Sequence, residues 1–202
     1  MSAGLSSEEI LFLQRGLKSG GLYVGPLDGL WNAEIDAAER EFHRQSQDLS
    51  RAIGTFDLRT ERNIATLQLP AQEAARRTMR VFADMQIVVR IISGTRTYEQ
   101  QEALFAKGRF GNTEKKVTNA RGGESNHNFA IAWDIGIFDG GRYLEESPLY
   151  KEVGHAALAR VPSIEWGGLW VSFTDRPHYQ LQTGLALADV RSRFESGMRY
   201  FP

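Results

Sequence analysis

The chain of 202 residues contains no cysteine, which excludes disulfides and thiolate metal ligands. It has no run that approaches the roughly 20 consecutive apolar residues of a membrane-spanning helix. Neither sign of charge dominates, because 24 Lys and Arg stand against 25 Asp and Glu. The sequence therefore predicts neither membrane insertion nor a nucleic-acid partner, and any metal site would use histidine and carboxylate ligands.

A secretory signal is also missing from the first residues. Met1–Glu9 has neither a basic start nor an apolar stretch before a small-residue cleavage site. We expect synthesis in the cytoplasm and, if the protein works outside, release through a membrane lesion or by an export route that the sequence does not reveal. The 42% apolar content is enough to bury a core, and a monomer is expected.

The first 70 residues predict a small helical module. A capped amphipathic helix begins at Ser6 or Ser7 and ends at Gly20. The turn-rich loop Leu22–Trp31 leads to a second helix, which the polar stretch 45–50 is expected to interrupt. A short helix follows before Pro70, which we take as the boundary between domains 1–70 and 71–202.

The remaining residues mix helices with β-branched strands. Strands are predicted over four segments, which are 87–92, 130–138, 164–170 and 177–181. Helical patterns lie near residues 71–82, 97–107, 150–161 and 187–194. The mixed order and the short connections predict an α+β fold with an antiparallel sheet.

Two separated segments contain the residue types of a zinc site. His127 and Asp134 lie in one, and Asp175 and His178 in the other. A catalytic zinc site typically has three protein ligands, an open position for water and a nearby general base. Spacing alone leaves other interpretations open, since Asp134 could cap a strand end and Asp175 could be a turn residue. Glu165 is a second candidate for the base.

The N-terminal module resembles the small helical peptidoglycan-binding domain of many cell-wall hydrolases. The resemblance rests on Leu13-Gln14, Leu17, the loop around Gly25–Trp31 and Ala38. It implies glycan contact through three residues, which are Tyr23, Asp28 and Trp31. Asn32-Ala33 and His43 depart from the usual pattern. The alternative is a helical cap in which Asp28 and Gly29 serve only turn geometry.

The C-terminal region resembles the zinc D-alanyl-D-alanine carboxypeptidase-like family, especially its L-alanyl-D-glutamate endopeptidases, which include phage endolysins. The resemblance covers most of residues 85–182 and includes Ser125-x-His127, Asp134, Asp175-x-x-His178 and Glu165–Trp170. Two residues depart from the pattern: Ala130 stands where glycine is usual, and Leu169 where aspartate often follows Trp-Gly-Gly.

The resemblance implies a role for each matching residue. One zinc ion would be bound by His127, Asp134 and His178, with Asp175 as the general base. Substrate would be contacted by Arg96, Ser125 and Trp166, and Arg96 would also assist catalysis by holding a carboxylate or polarising the scissile carbonyl. Taken without the resemblance, Arg96 could equally form a structural ion pair.

The expected protein is thus a zinc-dependent, endolysin-type peptidoglycan hydrolase that cleaves the stem peptide at the L-Ala–D-Glu bond. Two alternatives remain: a D-Ala–D-Ala carboxypeptidase, and a cell-wall-binding protein without catalytic activity. The expected partner is peptidoglycan, through both stem peptide and glycan.

Overall fold

The computed structural model describes residues 4–202, so part of the segment in which no signal is predicted, Met1, Ser2 and Ala3, lies outside the described residues. The helices are α1 Ser7–Ser19, α2 Ala33–Ile53, α3 Leu58–Ile64, α4 Leu69–Asp84, α5 Tyr98–Ala106, α6 Leu149–Arg160 and α7 Leu187–Glu195. The strands are β1 Val89–Ser93, β2 Ala132–Asp139, β3 Arg142–Tyr143, β4 Ile164–Trp166 and β5 His178–Leu181. The strand pairs are antiparallel, which confirms the predicted α+β class.

The described residues divide into two compact units. The first contains residues 4–43, 96–130 and 184–200, and the second contains residues 44–95, 131–183 and 201–202. The domain boundary predicted at Pro70 stays a prediction. Within the described residues, no helix is long and apolar enough to cross a membrane.

In the first unit, α1 has the predicted capping box. The Ser6 hydroxyl accepts from the Glu9 amide, and the Glu9 carboxylate accepts from the Ser6 amide. The buried face of α1 packs with residues of the next loop and of α2, which are Tyr23, Ile35 and Ala38. A second cluster of this unit joins the ring of Phe194 on α7 to those of Phe12 and Phe129, at centroid distances of 5.3 and 5.5 Å.

The predicted interruption of α2 at residues 45–50 is wrong, because the helix continues to Ile53. No glycine or proline occurs in the stretch until Gly54 follows it. Its polar side chains instead pair along the helix surface, since Asp48 accepts from Arg44 at 2.7 Å and from Arg51 at 3.2 Å. A polar face alone therefore does not end a helix.

The second unit contains the sheet, in which four strands follow the order β1-β2-β5-β4 and β3 pairs with β2. The predicted strand 164–170 is too long. It ends at Trp166, and Gly167–Leu169 form a short 3₁₀ helix. The Gly167 carbonyl accepts from the amides of Trp170 and Asp175, so the chain turns here instead of extending.

The register of the sheet divides its residues between two faces, because side chains alternate along each strand. Trp133 pairs with Tyr179 and Tyr179 with Trp166, and these three rings stack across β2, β5 and β4. On the opposite face, Asp134 pairs with His178, and the next pair is Glu165 with Gln180. One face is thus an aromatic core, and the other presents polar groups in a row.

Candidate metal centre

Asp134 and His178 lie opposite each other on β2 and β5. The His178 Nδ1 atom is 3.2 Å from the Asp134 Oδ1 atom. Both side chains are largely withdrawn from water, with exposed fractions of 8% for His178 and 18% for Asp134. The strand register therefore brings together a carboxylate and an imidazole that are 44 residues apart in the chain.

His127 lies in the 3₁₀ helix Asn126–Phe129, which Ser125 caps. The Ser125 hydroxyl accepts from the His127 amide at 3.4 Å, and the His127 carbonyl accepts from the Arg96 amide at 3.0 Å. Asn128 holds the same turn, because its amide group donates to the Arg96 carbonyl at 2.9 Å and accepts from the Gly123 amide at 3.0 Å. These hydrogen bonds fix the position of the backbone from which the buried His127 side chain extends.

The structure brings His127, Asp134 and His178 together. Each offers one ligand atom, and these atoms all lie within 4.8 Å of one another. Two imidazole nitrogens and one carboxylate oxygen suit zinc, whose tetrahedral catalytic sites combine three such ligands with an open position. The residue types and the closeness of the three ligand atoms are therefore those of a donor set that zinc can use.

The surroundings of His178 favour a positive charge on its ring. Burial alone would lower the pKa of His178, but the hydrogen bond that the ring donates to the Asp134 carboxylate, together with the negative charge of Asp134, outweighs burial and raises that pKa. Gln180 and Asp175 contribute to the same rise. A bound cation would take the place of the proton, because a ligating imidazole must be neutral.

Asp175 lies in the turn that leads into β5. Its amide donates to the Gly167 carbonyl at 2.9 Å, and its own carbonyl accepts from the His178 amide at 3.3 Å. Gly167 allows this approach, because a Cβ atom there would lie only 2.5 Å from the Asp175 carbonyl oxygen. Gly167 thus lets the backbone of Asp175 lie next to that of His178, which is a candidate metal ligand.

Arg96 directly precedes the N-cap of α5. Besides its backbone contacts to the His127 turn, its Nη1 atom donates to the Gln101 side-chain oxygen at 3.3 Å. Gln101 in turn donates to the Ala120 carbonyl at 3.0 Å. The partly exposed guanidinium thus belongs to a residue whose backbone is hydrogen-bonded to the turn that contains His127.

Trp166, predicted to touch substrate, is 3% exposed. Its ring belongs to the aromatic core face, and its indole nitrogen donates to the Arg176 carbonyl at 2.7 Å. The next ring along the chain is better placed: Trp170 is partly exposed, and its ring centroid lies 5.0 Å from that of His178. In the sequence, Trp170 is marked only by its place at the end of the segment Glu165–Trp170.

The residues of the predicted glycan-binding loop have defined structural contacts. Tyr23 is 2% exposed, and its hydroxyl donates to the Pro26 carbonyl at 2.9 Å. Asp28 accepts from the Gln14 side chain at 2.8 Å and from the Leu30 amide at 2.9 Å. Trp31 is partly buried against the helical core. Tyr23 and Asp28 thus maintain the loop, and glycan contact stays a prediction.

Comparison with known proteins identifies the region that contains these groups. Residues 118–181 match the family model described as D-alanyl-D-alanine carboxypeptidase. All three candidate metal ligands, and Asp175, fall inside the match. This region of the chain is therefore similar to the D-alanyl-D-alanine carboxypeptidase family.

One curated protein to which the chain is similar is the peptidoglycan L-alanyl-D-glutamate endopeptidase CwlK of Bacillus subtilis (strain 168). The two proteins are 34% identical over 113 residues, which is 49% of this chain and 64% of the relative. The chain thus spans somewhat less than two thirds of that protein. The solved structure of the Serratia marcescens L-Ala D-Glu endopeptidase ChiX aligns at 21% identity and a TM-score of 0.49, covering 64% of this chain and 90% of ChiX.

Proposed function

We propose that this protein is a zinc-dependent peptidoglycan peptidase that cleaves the stem peptide between L-Ala and D-Glu. The observation that carries the proposal is the group of His127, Asp134 and His178 inside the region that matches the D-alanyl-D-alanine carboxypeptidase family model. The bond is proposed from the curated relative, which is named as an L-alanyl-D-glutamate endopeptidase.

Zinc held by these residues would supply Lewis acidity, which polarises a carbonyl and lowers the pKa of water toward neutrality. The chain itself has to hold the ion, move protons and orient the peptide. His127 and His178 are buried, and the Asp134 side chain is only 18% exposed. This burial limits the water that could compete with the metal ion for the three side chains.

Asp175 is the proposed general base. Its carboxylate accepts one proton from the attacking water as the new C–O bond forms at the L-Ala carbonyl carbon. It then donates that proton to the departing D-Glu nitrogen as the C–N bond breaks. The products are a free L-Ala carboxylate and a new D-Glu amine, so one water is consumed and Asp175 is regenerated. Glu165 is the weaker candidate, because its carboxylate already accepts from Gln180 at 2.8 Å.

Arg96 and Ser125 are proposed to orient the substrate. A guanidinium pairs well with a carboxylate, and the stem peptide supplies one at D-Glu. Ser125 is partly exposed and lies two residues before His127, so its hydroxyl can reach a peptide that approaches this ligand. Both residues are also hydrogen-bonded to the backbone of His127. The position of the substrate would therefore depend on the position of this proposed ligand.

The N-terminal helices are proposed to hold the protein on peptidoglycan, through glycan contacts of the loop that contains Tyr23, Asp28 and Trp31. The proposed site of action is the cell wall. An endolysin-type role in bacterial lysis, carried out as a monomer, would fit such a combination of binding and cleavage.

A D-Ala–D-Ala carboxypeptidase is the second candidate, and the description of the matching family model favours it. The two activities release different products, since the carboxypeptidase frees a terminal D-Ala and the endopeptidase creates a new amine on D-Glu. A wall-binding protein without activity would release neither.

The test is to digest purified peptidoglycan with the full-length protein and identify the new termini by mass spectrometry. We expect a new D-Glu amine and an L-Ala carboxylate, and we expect both to disappear with a chelator or in His127→Ala. Release of D-Ala instead would establish the carboxypeptidase. Chelator-resistant cleavage, or full activity of His127→Ala, would overturn the zinc mechanism.

A further inference from the structure

Gln180 and Glu165 form a hydrogen-bonded chain that ends on His178. The His178 Nε2 atom is 3.0 Å from the Gln180 Oε1 atom, and the Gln180 Nε2 atom donates to Glu165 Oε2 at 2.8 Å. The arrangement follows from the sheet, because His178 and Gln180 share a face of β5 and Glu165 pairs with Gln180 across β4. The three groups are therefore aligned by backbone register.

The polarity of this chain has one consistent direction. An ionised carboxylate only accepts hydrogen bonds, so Glu165 requires the NH₂ group of Gln180 on its side. The Gln180 carbonyl oxygen must then face His178. An oxygen acceptor at 3.0 Å requires a hydrogen on the His178 Nε2 atom.

With a metal ion in place of the Nδ1 proton, His178 would be neutral, and hydrogen on Nε2 leaves the lone pair of Nδ1 for the metal. The His178 Nδ1 atom is the one that faces Asp134, at 3.2 Å from Oδ1. That lone pair therefore points toward Asp134, which is one of the other two candidate ligands.

We propose that Gln180 and Glu165 are positioning residues that fix the tautomer and ring orientation of His178, so that Nδ1 is its zinc ligand. Neither residue touches substrate in this role. The proposal deepens the proposed zinc site and rests on it. It also gives Glu165 a function other than that of general base.

The test measures zinc affinity by chelator competition and assigns the His178 ring nitrogens by two-bond ¹H–¹⁵N NMR of the zinc-loaded, full-length protein. We expect metal on Nδ1 and hydrogen on Nε2 in the wild type. Gln180→Leu should weaken zinc binding by about 10- to 100-fold, the usual effect of losing such an outer partner. Gln182→Leu makes the same chemical change on an exposed residue just beyond β5 and should bind zinc like the wild type.

Two changes at Glu165 separate its acceptor role from its bulk. Glu165→Gln keeps an acceptor oxygen and should retain zinc affinity within about threefold, whereas Glu165→Leu lets the Gln180 amide rotate and should weaken binding toward the Gln180→Leu value. Circular dichroism checks folding, and if Gln180→Leu does not fold, the Glu165 pair decides.

Zinc on Nε2 of the wild type, or wild-type affinity in folded Gln180→Leu or Glu165→Leu, would overturn the proposal. These readouts do not use peptidoglycan, so failure of the proposed hydrolysis would appear separately, as zinc binding without cleavage.

Discussion

Ala130 has a backbone φ of 57° and ψ of 30°, in the left-handed region. A Cβ atom is unfavourable there by roughly 1–2 kcal/mol, which explains why glycine is usual at this position in the family that the sequence resembles. The turn closes the 3₁₀ helix of His127 just before β2 begins. Ala130, which departs from the family pattern, is thus held by its neighbours in a strained backbone conformation.

Ala130→Gly should therefore stabilise the protein by about 0.5–1 kcal/mol, after the entropy cost of glycine is subtracted from the strain released. Urea unfolding measures the change. Ala132→Gly, two residues later in a buried extended strand, should destabilise instead. A loss of stability in Ala130→Gly would contradict the strain argument.

Asp175→Asn should lower kcat on peptidoglycan by about 10²- to 10⁴-fold, because the amide cannot take a proton from water. The backbone contacts to Gly167 and His178 do not involve the carboxylate, so zinc affinity should change little. Asp139→Asn, at an exposed turn, serves as the control for loss of one negative charge. Substantial activity in Asp175→Asn would move the role of base to another group.

At the scale of elements, the loop between α1 and α2 is organised by polar side chains. The Gln14 side chain lies on α1, where it accepts from the amides of Asp28 and Gly29 and donates to the Asp28 carboxylate. These hydrogen bonds, first that from Gln14 and then that from the Leu30 amide, lower the pKa of Asp28. The residues that resemble a glycan-binding motif therefore also form the hydrogen bonds that hold this loop in shape.

This shift predicts a pH dependence of stability. The folded pKa of Asp28 lies below the unfolded value of about 3.9, so the stabilisation is present above that value and is lost as pH falls through the folded pKa. Asp28→Asn keeps an oxygen acceptor but no charge. The difference in unfolding free energy between wild type and variant should be largest above about pH 5 and shrink below pH 4; a difference independent of pH would contradict this.

Strand register decides how the elements make a site. A one-residue slip between β2 and β5 would move Asp134 to the face that holds Trp133, and the stacked rings of Trp133, Tyr179 and Trp166 oppose that slip. The buried aromatic face thus determines which residues face each other on the polar side. Packing on one side of the sheet secures chemistry on the other.

At the scale of the whole molecule, zinc binding should couple to stability. With zinc at about 100 times its Kd, the folded state gains about 2.7 kcal/mol, so the melting temperature should rise with zinc and fall with a chelator. His127→Ala should remove this response. His43→Ala, a change at an exposed histidine of α2, should retain it. Equal melting temperatures of wild type with and without zinc would contradict the proposed site.

The sequence by itself determined the chemical inventory: histidine and carboxylate as the available ligands, two segments that carry them, and an alternation of apolar residues that predicts the strands. These follow from composition and local periodicity, which neighbouring residues set. The extent of α2 was mispredicted, because a polar stretch without glycine or proline can be helix or loop until surface pairs form.

Only the tertiary structure decided which residues face each other. The pairs Asp134 with His178 and Glu165 with Gln180 depend on strand register, and register is set by packing of the whole aromatic face. The same holds for the burial of Trp166 and Tyr23, and for the left-handed turn at Ala130. Long-range packing selects among local possibilities, so sequence could list the groups of the site but not the direction of their hydrogen bonds.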